Sequence, residues 1–243
     1  MGWVPLWVRV DGLRVSVLGG GSVGERRARL FAGAGGRVRV YGLEFTRGLL
    51  ELASRGVVEL VRVDLRDERV LREAVLWGDI VVVAVSDPSV AERASRLGLE
   101  AGRLVNDSVV ASRGRVVVPY RGSTGYGLEF AVTSLGRAGP PARRSRDYCL
   151  QLLNSSVYFR TLMMVFSRLK SCLRRLVSDP GLRVEAMLAA DASGGVHVAA
   201  SLGDFEAAAG AAVEAAERVL GGVEGLPECV LEGGGEPGGD QVE

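Results

Sequence analysis

Over the first 110 residues, short apolar runs alternate with longer segments in which apolar positions recur every three to four residues. The runs at 14–18, 37–41, 57–63, 80–85 and 104–106 have strand length, whereas 22–34, 45–54, 68–76 and 88–102 have helical length and a polar face. Ile80-Val81-Val82-Val83-Ala84-Val85 does not alternate, the pattern of a central strand covered on both faces. Asp87-Pro88 then marks a helix start. An acid stands at the cap, and proline takes the first helical position, where its missing N–H costs nothing. Alternation of this kind predicts an α/β fold, a doubly wound parallel sheet with helices on both faces.

Beyond Asn106 the pattern changes. Residues 115–119 and 128–133 read as strands joined by the glycine-rich stretch 121–127, and 142–177 is mostly helical, opening on the basic run Arg143-Arg144-Ser145-Arg146. Residues 183–190 and 196–201 fit either a hairpin or short helices, and 205–220 reads as an alanine-rich helix. From Gly221 the glycine, glutamate and proline content rises, which predicts a disordered acidic tail over 233–243.

Composition narrows the functional classes. At 47% hydrophobic the chain can build a substantial core, and a net charge of +1 supplies no overall field to recruit nucleic acid or a membrane surface. The longest strongly apolar run, 80–85, is far too short to cross a bilayer. Arg9 and Asp11 interrupt the early apolar residues, so no signal peptide is expected and the cytoplasm is the expected compartment. Three cysteines, Cys149, Cys172 and Cys229, without C-x-x-C spacing predict neither a disulfide framework nor a structural zinc site. The single histidine, His197, falls in an apparent strand, Gly195-Val196-His197-Val198, and is assigned a structural role; no metal site is expected.

One short motif carries chemistry. Gly19-x-Gly21-x-x-Gly24 follows the apolar run 15–18 and opens the helix at 22–34. In that setting one glycine makes the tight turn, one admits a pyrophosphate close to the backbone, and one lets the helix pack on the strand. Ser22 and Val23 then stand at a helix N-terminus, where free N–H groups and the dipole attract phosphate. The acid expected about 20 residues later, for the ribose hydroxyls, has its nearest candidate in Glu44; Arg47 could instead take a 2′-phosphate. NAD is therefore the expected cofactor, with NADP left open.

Longer segments add a resemblance covering about residues 4–145. Pro5-Leu6, and the unbroken run from Val17 through the glycines to Glu25-Arg26-Arg27-Ala28-Arg29-Leu30, resemble the opening of the precorrin-2 dehydrogenase and sirohydrochlorin ferrochelatase family, the amino-terminal module of siroheme synthase. Ala84-Val85-Ser86-Asp87 resembles that family's strand end beside the adenosine half of the cofactor, which adds Ser86 and Asp87 to the candidates. Asn106 and Pro119 keep a family spacing. Ala131-Val132-Thr133-Ser134-x-Gly136, followed by Ala142-Arg143, resembles the active-site loop and the helix after it.

The resemblance implies a Rossmann-type domain (1–113), a dimerisation and active-site segment (114–145), a mainly helical region (146–220) and a tail (221–243), working as a homodimer. It implies oxidation of precorrin-2 to sirohydrochlorin with NAD as hydride acceptor, in siroheme biosynthesis, with ferrochelation in some members. A tetrapyrrole rich in carboxylates needs cations, and Arg121, Arg137 and Arg143, with Arg144 and Arg146 near them, fit that need. Asn106 and Ser134 match family site residues. The family's general base, an aspartate three residues after the asparagine, is here Val109, and Asp107 is the nearest acid. On a strand a shift of two residues, about 7 Å, keeps the same face, so Asp107 becomes the candidate base. The alternative reading is a non-catalytic Rossmann module that senses a dinucleotide and regulates a partner.

Overall fold

The computed structural model describes residues 2–233, so the stretch 234–243 of the expected tail lies outside the described residues. The chain divides into two compact units. One holds the residues up to Pro119 with Thr133–Gly139; the other holds Tyr120–Val132 with the residues from Pro140 on.

The first unit is built on five parallel strands, β1 (Arg14–Leu18), β2 (Arg37–Gly42), β3 (Glu59–Arg62), β4 (Ile80–Val83) and β5 (Leu104–Asp107), in the order β3-β2-β1-β4-β5. The crossovers are α1 (Ser22–Gly33), α2 (Arg47–Ser54), α3 (Glu68–Trp77) and α4 (Pro88–Glu100). Successive β4 side chains go to opposite faces: Ile80 and Val82 join Ala28, Phe31, Leu49 and Leu52 of α1 and α2, whereas Val81 and Val83 join Leu71, Val75, Val90 and Ala94 of α3 and α4. That double burial is why the run lacks alternation. Asp67 and Asp87 accept the first free N–H groups of α3 and α4, and Thr46 does the same for α2. The doubly wound parallel sheet expected from the alternation is therefore present, with strand and helix ends shifted by one or two residues.

At the start of the central strands Asp79 accepts the Arg14 main-chain N–H at 3.0 Å and its guanidinium at 2.9 Å, with Arg103 at 3.7 Å. The Arg14 side chain, then its N–H, holds the Asp79 carboxyl down at about 2. A carboxyl lower in the folded than in the unfolded chain stabilises above its unfolded pKa, about 3.9, and ceases to as pH falls through the folded value. Asp79→Asn is therefore expected to lose less stability than wild type between pH 5 and pH 2, measured by urea midpoints across that range.

The second unit opens with an antiparallel hairpin, β6 (Tyr120–Ser123) and β7 (Glu129–Val132). Helices α5 (Gly139–Ser155), α6 (Val157–Leu176), α7 (Pro180–Asp191), α8 (Gly194–Leu202), α9 (Phe205–Leu220) and α10 (Leu226–Glu232) follow. The core is small-residue packing: Ala186, Ala190, Ala199, Ala208, Ala209, Ala212 and Ala216 surround Val165, Leu169 and Leu173 of α6.

Four expectations are corrected here, and the mostly helical reading of 142–177 holds with one break. Residues 115–119 are no strand, because the Arg115 and Val116 N–H groups both go to the Val105 carbonyl beside β5. The helical stretch 142–177 breaks at Ser156, whose hydroxyl caps α6 by accepting the Phe159 N–H. Residues 183–190 and 196–201 are both helical, so His197 lies on α8 and not in a strand. Its ring bonds Tyr158 Oη at 2.8 Å and the Asp191 carbonyl at 2.6 Å, a structural tie between helices. Residues 226–232, read as tail, form α10 and bury Leu226 and Val230. Cys172 and Cys229 form a disulfide joining α6 to α10. An odd cysteine count still leaves one pair, and only tertiary packing brings residues 57 positions apart together.

Candidate functional site

Strand order reverses between β1 and β4, and the helices that follow them lie on opposite faces of the sheet. A crevice therefore opens at the carboxyl ends of these strands, the place where open α/β sheets bind ligands. The glycine turn forms its floor. Gly19 has φ +118°, and a methyl group there would run into the Ala84 carbonyl at the end of β4. A methyl on Gly24 would run into the Gly19 carbonyl, so this glycine is what lets α1 start against β1. Gly21 differs: nothing lies within 4 Å of an added Cβ, and the residue is exposed. That open position faces the crevice.

The crevice has two halves. The larger, about 430 Å³, runs from Gly19-Gly20-Gly21 past Gly42 and Leu43 at the end of β2 to Val63-Asp64-Leu65-Arg66 beyond β3, and back to Ala84–Asp87. The smaller, about 240 Å³, lies on the other side of the turn, between Gly21-Ser22-Val23, Ala84-Val85-Ser86 and Ser108-Val109. Of the expected cofactor residues, Gly19, Gly21, Ser22, Val23, Ser86 and Asp87 line one half or both, and Gly24 sits beneath them. Asp87 spends one carboxylate oxygen on the Ser89 and Val90 N–H groups, at 2.9 and 3.2 Å.

Glu44 is a correction. Its side chain is exposed and lines neither half; its carbonyl, packed against Gly20, is what makes that position a glycine. Arg47 pairs with Glu51 along α2. Besides Asp87, the charged groups lining the larger half are Asp64 and Arg66, which sequence reasoning missed because the acid sits after the third strand rather than the second. They form a bidentate pair: Arg66 Nε to Asp64 Oδ1 at 3.0 Å and Nη2 to Oδ2 at 2.7 Å, with the Arg66 N–H on Oδ1 as well. These bonds hold the Asp64 carboxyl at about 2.

Glu25, part of the signature after the glycines, performs a packing task. Its carboxylate accepts the Thr46 hydroxyl at 2.6 Å and the Arg29 guanidinium at 2.8 Å, tying the head of α2 to α1. Those partners, Thr46 first, hold its carboxyl below the ordinary range.

On the β5 side the proposed base is corrected. Asp107 ends the strand, and the chain turns away before Val109, so the two positions do not share a strand face. The Asp107 carboxylate, 1% exposed, accepts the Ser95 hydroxyl and the N–H groups of Val109 and Val110, all at 2.8 Å. It holds the turn and lines neither half of the crevice. Val109, by contrast, lines the smaller half. Asn106 is also buried: it donates to the Val116 carbonyl at 2.9 Å and accepts the Ser108 hydroxyl at 3.2 Å.

The loop from Thr133 belongs to the same unit. Ser134 Oγ donates to the Ala138 carbonyl and accepts its N–H, both at 2.9 Å, closing the loop on itself. Leu135 has φ +54°, the single non-glycine residue with positive φ among the described residues, and Gly136 packs where a Cβ would meet Ala111. A bulky residue held left-handed costs of order 1–3 kcal/mol and concentrates at functional loops. Among the arginines, Arg137 and Arg143 are exposed, as is Arg144. Arg121 is held by Glu129 at 2.6 Å, and Arg146 donates to the Arg121 carbonyl at 2.7 Å. Arg121 is thus a neutralised cation rather than a free one.

Comparison with known proteins agrees with this geometry. A family described as "Putative NAD(P)-binding" matches residues 6–120. A protein of Methanosarcina barkeri named precorrin-2 dehydrogenase is 28% identical over 187 residues, 76% of this chain and 81% of that one. Siroheme synthase 3 of Aeromonas hydrophila is 34% identical over 87 residues, 36% of this chain and 17% of the other. Among solved structures, "SirC, precorrin-2 dehydrogenase" shares the fold with a TM-score of 0.62 at 19% identity, covering 90% of this chain and 100% of that chain. Along most of its length this chain is similar to a precorrin-2 dehydrogenase, and over a shorter span to a siroheme synthase.

Proposed function

We propose that this chain oxidises precorrin-2 to sirohydrochlorin with NAD as acceptor, a step of siroheme biosynthesis, as a cytoplasmic homodimer. The observation that carries this reading is the crevice itself. It crosses the strand-order reversal, with the glycine turn at its centre and room on both sides for the two halves of a dinucleotide. When bound, the nicotinamide supplies the hydride acceptor. The chain's part is positioning. The Ser22 and Val23 N–H groups at the head of α1 hold the pyrophosphate, and the Gly21 backbone admits it. The smaller half, between Ser22, Ser86, Ser108 and Val109, places the reacting carbon.

Oxidation removes a hydride and a proton. With no carboxylate lining the smaller half, the Ser22, Ser86 and Ser108 hydroxyls pass that proton to water. Exposed Arg137, in the same unit as the crevice, meets a substrate carboxylate. Ferrochelation, which must remove pyrrole protons as metal enters, lacks its base at Val109, and dehydrogenation is the activity assigned. Anaerobic incubation with precorrin-2 and NAD is expected to give the sirohydrochlorin spectrum with one NADH formed per turnover. No spectral change with NAD or NADP would reject the reading. Dinucleotide binding without turnover would favour the sensing module instead.

A further inference from the structure

The adenosine end of the crevice lacks the usual means of refusing a 2′-phosphate. In dinucleotide folds an acid at the end of the second strand binds the ribose hydroxyls and repels that phosphate, while an arginine nearby accepts it. Here the second strand ends in Gly42-Leu43, which brings neither charge. The charge sits instead at the end of the third strand, in Asp64 and Arg66, and the two side chains neutralise each other through the bidentate contact. Both are substantially solvent-exposed, at 42% and 68%, so the pair can open toward a ligand without unpacking the core.

From this geometry we infer that the Asp64–Arg66 pair makes the crevice accept NADP as well as NAD. Each partner serves one dinucleotide. With NAD the pair presents the Asp64 carboxylate to the ribose hydroxyls. With NADP the Arg66 guanidinium turns from Asp64 to the 2′-phosphate, for which its planar fork suits bidentate binding. The Arg93 guanidinium donates to the Arg66 carbonyl at 3.5 Å, a contact to the backbone that leaves the Arg66 side chain free to turn.

The inference rests on the reading of the crevice as a dinucleotide site, and calorimetry of the full chain, without substrate, separates the two. NAD and NADP are expected to bind wild type with dissociation constants within about tenfold of each other. Arg66→Gln should shift the preference at least tenfold toward NAD, whereas Asp64→Asn should shift it toward NADP. NADP binding to wild type should also weaken more steeply with salt than NAD binding. A wild-type preference above about 100-fold for either dinucleotide, or variants whose preference is unchanged, overturns the dual-acceptance inference alone. Binding of neither dinucleotide overturns the cofactor reading and the inference together. Thermal melts confirm that each variant is folded, as these exposed positions lead one to expect.

Discussion

Gly24→Ala is expected to weaken dinucleotide binding by about 10- to 100-fold, together with part of the stability of the Rossmann unit. The cause is a single contact. A Cβ at position 24 would strike the Gly19 carbonyl oxygen, a backbone atom that is itself fixed, because the Gly19 N–H is bound to the Tyr41 carbonyl at 2.8 Å. No side chain can rotate away, so α1 must move off β1. Overpacking of this kind costs about 1–3 kcal/mol. The displaced helix also carries the N–H groups that face the crevice, and each 1.4 kcal/mol lost in binding is a factor of ten. Gly21→Ala is the matched control. Its backbone, φ −78° and ψ −173°, suits alanine, and nothing lies within 4 Å of the new methyl. It should therefore melt within about 2 °C of wild type and still bind weakly, because the methyl occupies space a pyrophosphate needs. Calorimetry with thermal melts on both variants makes the test. Wild-type binding by Gly21→Ala would mean that the ligand does not approach the turn.

The contrast between these glycines shows what the sequence could and could not convey. The spacing 19, 21, 24 located the turn, and the alternation of runs located the sheet, because both depend on neighbours within a few residues. Burial on two faces was readable in 80–85 for the same reason. The polar details were not. Asp107 looked like a base because a strand repeats every two residues, but the chain leaves the strand at that residue, and its carboxylate is consumed by Ser95 and two N–H groups. Glu44 looked like the ribose acid by distance along the chain, yet the charged residues lining the larger half are Asp64, Arg66 and Asp87, beyond other strands. Arg121 counted as a cation until Glu129 was found beside it. Each error concerns a partner distant in sequence, or a chain direction set by one turn, which periodicity does not encode. Alternation also fails where helices pack through alanine. Without large apolar residues marking a face, 183–190 and 196–201 left helix and strand equally open.

Val109→Asp is expected to give the chain a chelatase activity at least about 100-fold above its own background, with sirohydrochlorin and ferrous or cobaltous ion as substrates. Val109 lines the smaller half of the crevice beside Ser22, Ser86 and Ser108 and is 47% exposed, so a carboxylate fits there without burial and should cost no more than about 0.5 kcal/mol. A positioned base contributes about 10²–10⁴ to a proton transfer, and metal insertion needs pyrrole protons removed. Dehydrogenation, which depends chiefly on holding two reactants together, should change less than about tenfold. The new activity should fall at low pH as the introduced carboxylate protonates, and Val109→Asn, of similar shape but without a base, should not show it. Asp107→Asn supplies the complementary test. An amide oxygen can still accept the Val109 and Val110 N–H groups, and the Ser95 hydroxyl can rotate to accept from the amide nitrogen, so the turn survives and dehydrogenation should stay within about threefold. Loss of that activity in a folded Asp107→Asn protein would return the base to position 107, whereas chelation by Val109→Asp would place the missing proton acceptor at the crevice wall.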